Sequence, residues 1–248
     1  MHTTVYPEPT KTVSGMSKTR YVGSDITKFR NWVRNTCGYR GDIRSVFDVG
    51  SCHGIESQQF GNIYFNSEVH CFEANPLQIP IVKVNTRNST NVEVHSCAVT
   101  DYDGTTKFYP IDKRLSKSRW FDCNQGAGSL FRTNGNERMF WKNESLVQYE
   151  IEVPCTRLDT FCEKKGIRGP QLLWIDAQGS ELHVLRGLGK YIEDVDLIHT
   201  EMEIVPLYHK QDLYEDIHPW LLDHGFEFVD KQLFRESFGD FIYVRKRT

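Results

Sequence analysis

The 248-residue chain has no apolar run long enough to cross a bilayer. Its polar, proline-bearing segment 1–18 lacks the apolar core of a secretory signal. A soluble, cytoplasmic protein without membrane insertion is therefore expected. Cysteine is present but unorganised. The seven residues at 37, 52, 71, 97, 123, 155 and 162 contain no Cys-x-x-Cys pair, which argues against a zinc site and against a disulfide framework. Cys71 and Cys97 fall inside apolar runs, where a buried free thiol is the default, in keeping with a reducing compartment. Charge of one sign is also lacking: 30 Lys and Arg stand against 33 Asp and Glu, a net charge of -3, so a general nucleic-acid coat is disfavoured. One basic run, Lys113, Arg114, Lys117 and Arg119 with Trp120 after it, reads first as a solvated loop and only second as an anion site. Neither Gly-x-Gly-x-x-Gly nor Gly-Lys-Ser/Thr occurs, which removes the dinucleotide fingerprint and the P-loop.

The remaining composition, 39% hydrophobic and 25% charged, is that of an ordinary globular chain. Residues 1–40 read as an arm followed by a helix, with Ser24 as its cap and Ile26, Phe29, Trp32 and Val33 on one face. Residues 41–248 read as a single domain. Strands are expected at Ser45–Val49, Val69–Phe72 and Val92–Ala98, with helices near Ile55–Phe60 and Leu77–Asn85, the latter opened by Asn75-Pro76. Alternation of strand and helix predicts a parallel sheet with right-handed crossovers. A loop or hairpin insertion around 104–154 follows, with strands at Thr105–Tyr109 and Val147–Val153. The regular pattern then resumes with a helix at Asp159–Lys165, a strand at Leu172–Ile175, a helix at Ser180–Leu188 and a strand at Leu197–Thr200. A helix at Leu213–His224 and a terminal antiparallel pair, Phe226–Val229 with Phe241–Val244, complete it. The fold class is α/β, a doubly wound Rossmann-like, mostly parallel sheet with an antiparallel C-terminal strand.

Such sheets bind ligands outside the carboxyl ends of their strands. The first strand ends in Asp48-Val49-Gly50-Ser51-Cys52-His53-Gly54, where the glycines allow a sharp turn and close approach of a ligand. The second ends in Glu73, placed 25 positions after Asp48, close to the interval of about 20 at which such units carry a ribose-binding carboxylate. Together these residues favour an adenosine-type ligand.

From Val46 to Phe228 the sequence resembles the FkbM-like family of class I S-adenosylmethionine-dependent methyltransferases. The matching segments are Val46–Gly54, Val69–Pro76, Cys97-Ala98-Val99 with Asp103-Gly104, Gly126–Leu130 and Val153–Thr160. Most specific is the block Leu173-Trp174-Ile175-Asp176-Ala177-Gln178-Gly179-Ser180-Glu181-Leu182-His183-Val184-Leu185-Arg186-Gly187. The resemblance implies S-adenosylmethionine as cofactor. Asp48, Gly50, Ser51 and Gly54 would then surround its amino acid end and Glu73 its ribose, with Asn75, Ala98 and Val99 near adenine or ribose. Gln178 stands where many relatives have Glu.

Asp176, at the end of the fourth parallel strand, is the first candidate for an active-site carboxylate, lining the cofactor site as well. A helix cap is its plainer role. Glu201 follows on the next strand, sharing a face with Glu203. His183 is a weaker candidate base, and Glu181 serves as well in the first helical turn. No compact metal motif is present and no metal ligand is assigned. A divalent cation between Asp176, Glu201 and His199 is a minority reading. Tyr208 and Tyr214 read as core before sugar-stacking residues, and Gly126–Ser129 as a loop that closes over the cofactor or a simple turn. The leading function is O-methylation of a hydroxyl on a small-molecule or glycan acceptor, a carbohydrate or glycosylated metabolite by family analogy. The alternatives are an RNA methyltransferase, disfavoured by the acidic balance, and a non-catalytic cofactor-binding partner protein.

Overall fold

The computed structural model describes residues 26–36, 42–117, 124–136, 145–234 and 236–246. Ser24, Arg119 and Trp120 lie outside them. In chain order the first elements are α1 (Ile26–Thr36), β1 (Ser45–Val49), α2 (Ile55–Ile63), β2 (Glu68–Glu73), α3 (Ile79–Thr86) and β3 (Val92–Ser96). The middle contributes β4 (Ala98–Val99), β5 (Gly104–Phe108), a 3-10 turn at Gln125–Ala127 and β6 (Ile151–Thr156). The last third holds α4 (Leu158–Lys165), β7 (Leu172–Ile175), α5 (Glu181–Gly187), β8 (Leu197–Glu203), α6 (Tyr214–Asp223), β9 (Phe226–Phe234) and β10 (Phe238–Arg245).

The main sheet runs β3-β2-β1-β7-β8-β10-β9. β10 is antiparallel to both of its neighbours and the other pairings are parallel. Strand period explains how both faces are covered. Leu173 and Ile175 point to one side, where Phe47, Phe72, Ile198, Met202 and Phe241 meet Leu158, Leu182, Leu185, Ile217 and Leu221 of α4, α5 and α6. Leu172 and Trp174 point to the other, against Ile26, Phe29, Trp32 and Val33 of α1 and Phe60 of α2. The aromatic residues of α1 thus pack on the sheet's own face. Burial on both faces is why β7, at the centre of the sheet, reads as an unbroken apolar run.

The C-terminal strands β8, β9 and β10 run longer than the sequence reading, and three further boundaries differ. The expected strand Val92–Ala98 divides at Cys97: β3 is the edge of the main sheet, and β4 pairs instead with Cys155 and Thr156 in a small sheet ordered β4-β6-β5. Cys97 is consequently half-buried at a cleft, while Cys71 is buried, and both thiols are free. Asn75-Pro76 forms a turn, with Asn75 Oδ1 accepting the Leu77 N–H at 3.1 Å. The helix opens later, with Pro80 in its first turn, a place that needs no amide donor. The insertion's second strand lies at Ile151–Thr156 rather than Val147–Val153, its register set by pairing with β5. No helix among the described residues is long and apolar enough to cross a membrane.

Helix α5 presses its last turn on the chain after β4: a Cβ on Gly187 would lie 2.3 Å from the Thr100 carbonyl oxygen. Backbone cannot yield as a side chain tip does. Gly187→Ala is expected to cost about 1–3 kcal/mol, seen as a lower urea midpoint with unchanged slope. An unchanged midpoint would show that α5 is not held this closely.

Candidate active site

The carboxyl ends of β1 and β7 touch. Gly50 has φ +84°, and a Cβ there would lie 1.8 Å from the Asp176 carbonyl oxygen, so only glycine fits. Gly50 and Ser51 donate their N–H groups to Phe72 O at 3.0 and 3.2 Å, which folds the β1 loop onto the end of β2. Gly54, at φ +71°, supports the loop from behind: its Cβ would press on Val82 Cγ1 at 2.9 Å.

A cleft of about 530 Å³, counting its open mouth, lies beside this loop, lined by Gly50, Cys52, Glu73, Ala98, Val99 and Asp176, among others. Glu73 is fixed at both oxygens, Oε2 accepting the Cys52 N–H at 2.7 Å and Oε1 the Asn75 N–H at 2.6 Å. Burial nevertheless pushes its carboxyl up to about 7, outweighing those donors. The opposite wall is apolar, from Ala98, Val99, Phe108 and Leu130. Gln125, Gly126 and Gly128 of the insertion complete the lining. Gln125 donates Nε2–H to Ile111 O at 3.0 Å, while its buried Oε1 has no partner among the described residues.

A second cleft, about 1380 Å³ including its open mouth, shares Gly50, Cys52, Gly126 and Asp176 with the first. Its walls carry Asp48, Glu56, Glu201 and Asp240, with Trp174, His199 and Phe234. Gln178 links the central carboxylates, donating Nε2–H to Asp176 Oδ1 at 2.6 Å and Glu201 Oε1 at 3.0 Å. Tyr208 donates its hydroxyl proton to Gln178 Oε1 at 2.7 Å, with Ala127 O at 3.0 Å sharing it. Asp240 faces Glu201 directly in the β8–β10 register. Burial, then the Asp176 charge, pushes Asp240 up to about 7 and Glu201 well above the carboxylate range. Burial also raises Asp176, opposed by the Gln178 hydrogen bond. The cluster therefore titrates as a unit and holds protons at neutral pH. His199 lies flat on Trp174 with centroids 3.4 Å apart; burial lowers it to about 3 and keeps it neutral.

Of the residues singled out in the sequence, Asp48, Gly50, Ser51, Glu73, Ala98, Val99, Asp176 and Glu201 reach these clefts. Asp48 lies deep, accepting the Ser57 hydroxyl at 2.5 Å, and the Ser51 hydroxyl is engaged with Cys71 Sγ and Phe72 O. Asn75 and Gly54 line neither cleft and act as turn and loop support. His183 is not brought to Asp176: its Nδ1 is 3.1 Å from Asp101 Oδ1 and its Nε2 is 3.9 Å from Asp212 Oδ2, because it points from the face of α5 that leaves the core. Glu181 accepts the N–H groups of Ala177 and Gly179 at 3.0 and 3.2 Å, shaping the turn after β7. Ser129 donates to Gln178 O at 2.6 Å, so that loop is bolted to the β7 turn. Tyr208 is buried in the network and Tyr214 stacks on His218 and Phe241. Sequence reasoning missed Asp240, the bridge made by Gln178, and the parts of the cleft wall from Phe108, Gln125 and Leu130, although it offers Gly126–Ser129 as a loop over the cofactor and Gly126 and Gly128 do line the first cleft. For Asp240 the one local signal is a lone acid in the alternating apolar strand Phe238–Arg245.

Residues 48–228 match the family described as the methyltransferase FkbM domain. The chain is 24% identical over 172 residues to the 2-O-methyltransferase NoeI of Sinorhizobium fredii (strain NBRC 101917 / NGR234), covering 68% of this chain and 65% of that protein. It is 29% identical over 204 residues to the 31-O-demethyl-FK506 methyltransferase FkbM of Streptomyces tacrolimicus, covering 77% and 75%. The chain thus spans just under two thirds of the length of NoeI. Among solved structures, Aeropyrum pernix fibrillarin with natively bound S-adenosyl-L-methionine superposes with a TM-score of 0.47 at 12% identity, over 95% of this chain and 85% of that one.

The buried titratable groups set a stability optimum. Glu73, Glu203 and Asp240 sit at about 7 in the folded chain, above their ordinary values of 4.5, 4.5 and 3.8. The fold holds extra protons there and loses stability as pH rises through 7. His199 sits at about 3, below its ordinary 6.5, which opposes this trend, but one group is outweighed by three and the optimum lies on the acid side, near about pH 4. The melting temperature of the ligand-free protein is expected to fall from about pH 5 to about pH 8, and Glu203→Gln should flatten that fall. A melting temperature that climbs from pH 7 to 8 would contradict the assignment.

Proposed function

The chain belongs to the FkbM methyltransferase family, and on that premise we propose that it transfers the methyl group of S-adenosylmethionine to a hydroxyl oxygen of a carbohydrate or glycosylated metabolite. The observation that carries this reading is the junction of the two clefts at Gly50, Cys52, Gly126 and Asp176.

The first cleft fits an adenosyl group. Glu73 keeps lone pairs on both oxygens for two ribose hydroxyls. Ala98, Val99, Phe108 and Leu130 suit the faces of a purine, and the Gln125 amide lies beside them. The position of Gly126 is open, since among the described residues a Cβ there would meet only Cys52 Sγ, at 3.8 Å. Gly50 and Ser51 follow the amino acid end toward Asp48, with Gly54 supporting the turn. The cofactor supplies an already electrophilic methyl group, so the protein's task is alignment and removal of one proton.

Asp176 stands at the junction and is the base we assign, with Glu201 as the partner that shares its proton. Gln178 holds the two carboxyl groups side by side and is itself fixed by Tyr208. A catalytic cation is not needed in this arrangement, because the Gln178 amide already lies between Asp176 and Glu201 and satisfies an oxygen of each. Carboxylates accept hydrogen bonds from neutral hydroxyls, which sugars supply in number. No lysine or arginine among the described residues lines the second cleft to pair with a phosphodiester, which speaks against RNA despite the exposed Lys113, Arg114 and Lys117. Relatives point the same way in part: one is named a 2-O-methyltransferase and the other a 31-O-demethyl-FK506 methyltransferase.

Calorimetry with S-adenosylhomocysteine should show binding that Glu73→Gln weakens by about tenfold or more. Asp176→Asn should keep that binding and lower kcat by about 10²–10⁴; normal turnover in this variant would remove Asp176 from the mechanism. A labelled-methyl screen of glycans against RNA at two salt concentrations separates the acceptor classes. With an acceptor in hand, turnover is expected to persist in excess chelator, and its loss would restore the catalytic cation.

A further inference from the structure

The outer edge of the main sheet carries a second cluster that methyl transfer does not use. His70 on β2 and Glu93 on β3 are register partners, and His95 follows Glu93 by two positions, on the same face. His70 Nδ1 is 3.0 Å from His95 Nε2 and 3.7 Å from Glu93 Oε2. One ligand atom from each residue lies within 4.8 Å of the other two. Ligand atoms of a tetrahedral ion with bonds of about 2.0–2.1 Å stand about 3.3 Å apart, so the two measured distances bracket what such an ion requires.

The surroundings are those of a built site. The two imidazoles stand among the rings of Phe47, Phe72 and Phe161, with centroids 4.8–5.3 Å away. Burial lowers both imidazoles to about 4, so each offers a lone pair at neutral pH without losing a proton. Lys165 of α4 holds Glu93 Oε1 at 2.5 Å, which leaves Oε2, the oxygen nearer His70, for an ion. An outer partner of this kind orients a ligating carboxylate. An open cleft of about 670 Å³, lined by His70, Asn91, Glu93 and Lys165, leads in from solvent and provides the entry path a metal site needs.

We propose that His70, His95 and Glu93 bind one divalent transition metal ion of the zinc class through two imidazole nitrogens and one carboxylate oxygen, with water as the fourth ligand. The ion joins edge strand β3 to β2 beneath α4. Its place is structural, since none of the three side chains lines either cleft of the proposed active site.

The test is titration of chelator-treated full-length protein with Co²⁺, followed by visible absorption, and with Zn²⁺, followed by melting temperature. One equivalent of Co²⁺ should bind with ligand-field bands that Zn²⁺ abolishes, and Zn²⁺ should raise the melting temperature. His95→Gln should lose both signals, and Glu93→Gln should bind at least about tenfold more weakly. Both positions are less buried than His70, and an unchanged circular dichroism spectrum confirms that each variant folds. Absence of stoichiometric binding to the parent chain would reduce the pair to an N–H···N hydrogen bond and overturn the proposal. Equal binding by folded His95→Gln would overturn it as well.

Discussion

Gly50 and Asp176 are in contact because residue 50 has no side chain. β1 and β7 are parallel neighbours, and Asp176 N–H donates to Val49 O at 2.9 Å, so the two strands leave the sheet side by side. With a Cβ on residue 50 the loops would separate by more than an ångström. Their contact makes the thin partition between the clefts and puts Asp176 in it, exposed to both. Gly50 and Gly126 bring no side chain to that partition.

That partition concentrates acid. Asp48, Asp176, Glu201, Glu203 and Asp240 are gathered at one sheet edge, and burial makes their simultaneous ionisation costly. The relief is local. Gln178 offers both amide hydrogens to two of the carboxyl groups, Ser57 serves Asp48, and Asp240 and Glu203 sit near neutrality in their titration. A glutamate in place of Gln178 would add a further acid where a donor is needed. The insertion is tied into the same network by Ser129 and Tyr208, so the first cleft's far wall and the Asp176 turn are positioned together.

Much of this was legible along the chain. The alternation of apolar strands and helices gave the parallel order, and Gly50, Glu73 and Asp176 were recognisable as ends of strands where such sheets bind ligands. The antiparallel terminal strand was also readable, although β9 and β10 are longer than their apolar cores suggest because their outer residues are half-exposed. His183 shows the limit. Its neighbours in sequence point into the core, but a helix turns about 100° per residue, and His183 faces Asp101 instead. Asp240 shows the converse: nothing beside it in sequence marks a site, and only pairing with β8 brings it opposite Glu201.

The sequence by itself determined the fold class, the family and the carboxylates at the ends of β1, β2 and β7, because these follow from strand period and from short contiguous motifs. Only the tertiary structure decided that β3 and β4 part at Cys97, that Phe108 of β5 joins the wall of the first cleft, that Gln178 bridges Asp176 and Glu201, and that His70, Glu93 and His95 converge. Each of these depends on register between strands far apart in the chain. Register fixes which side chains meet across a sheet, and local patterns carry no record of it.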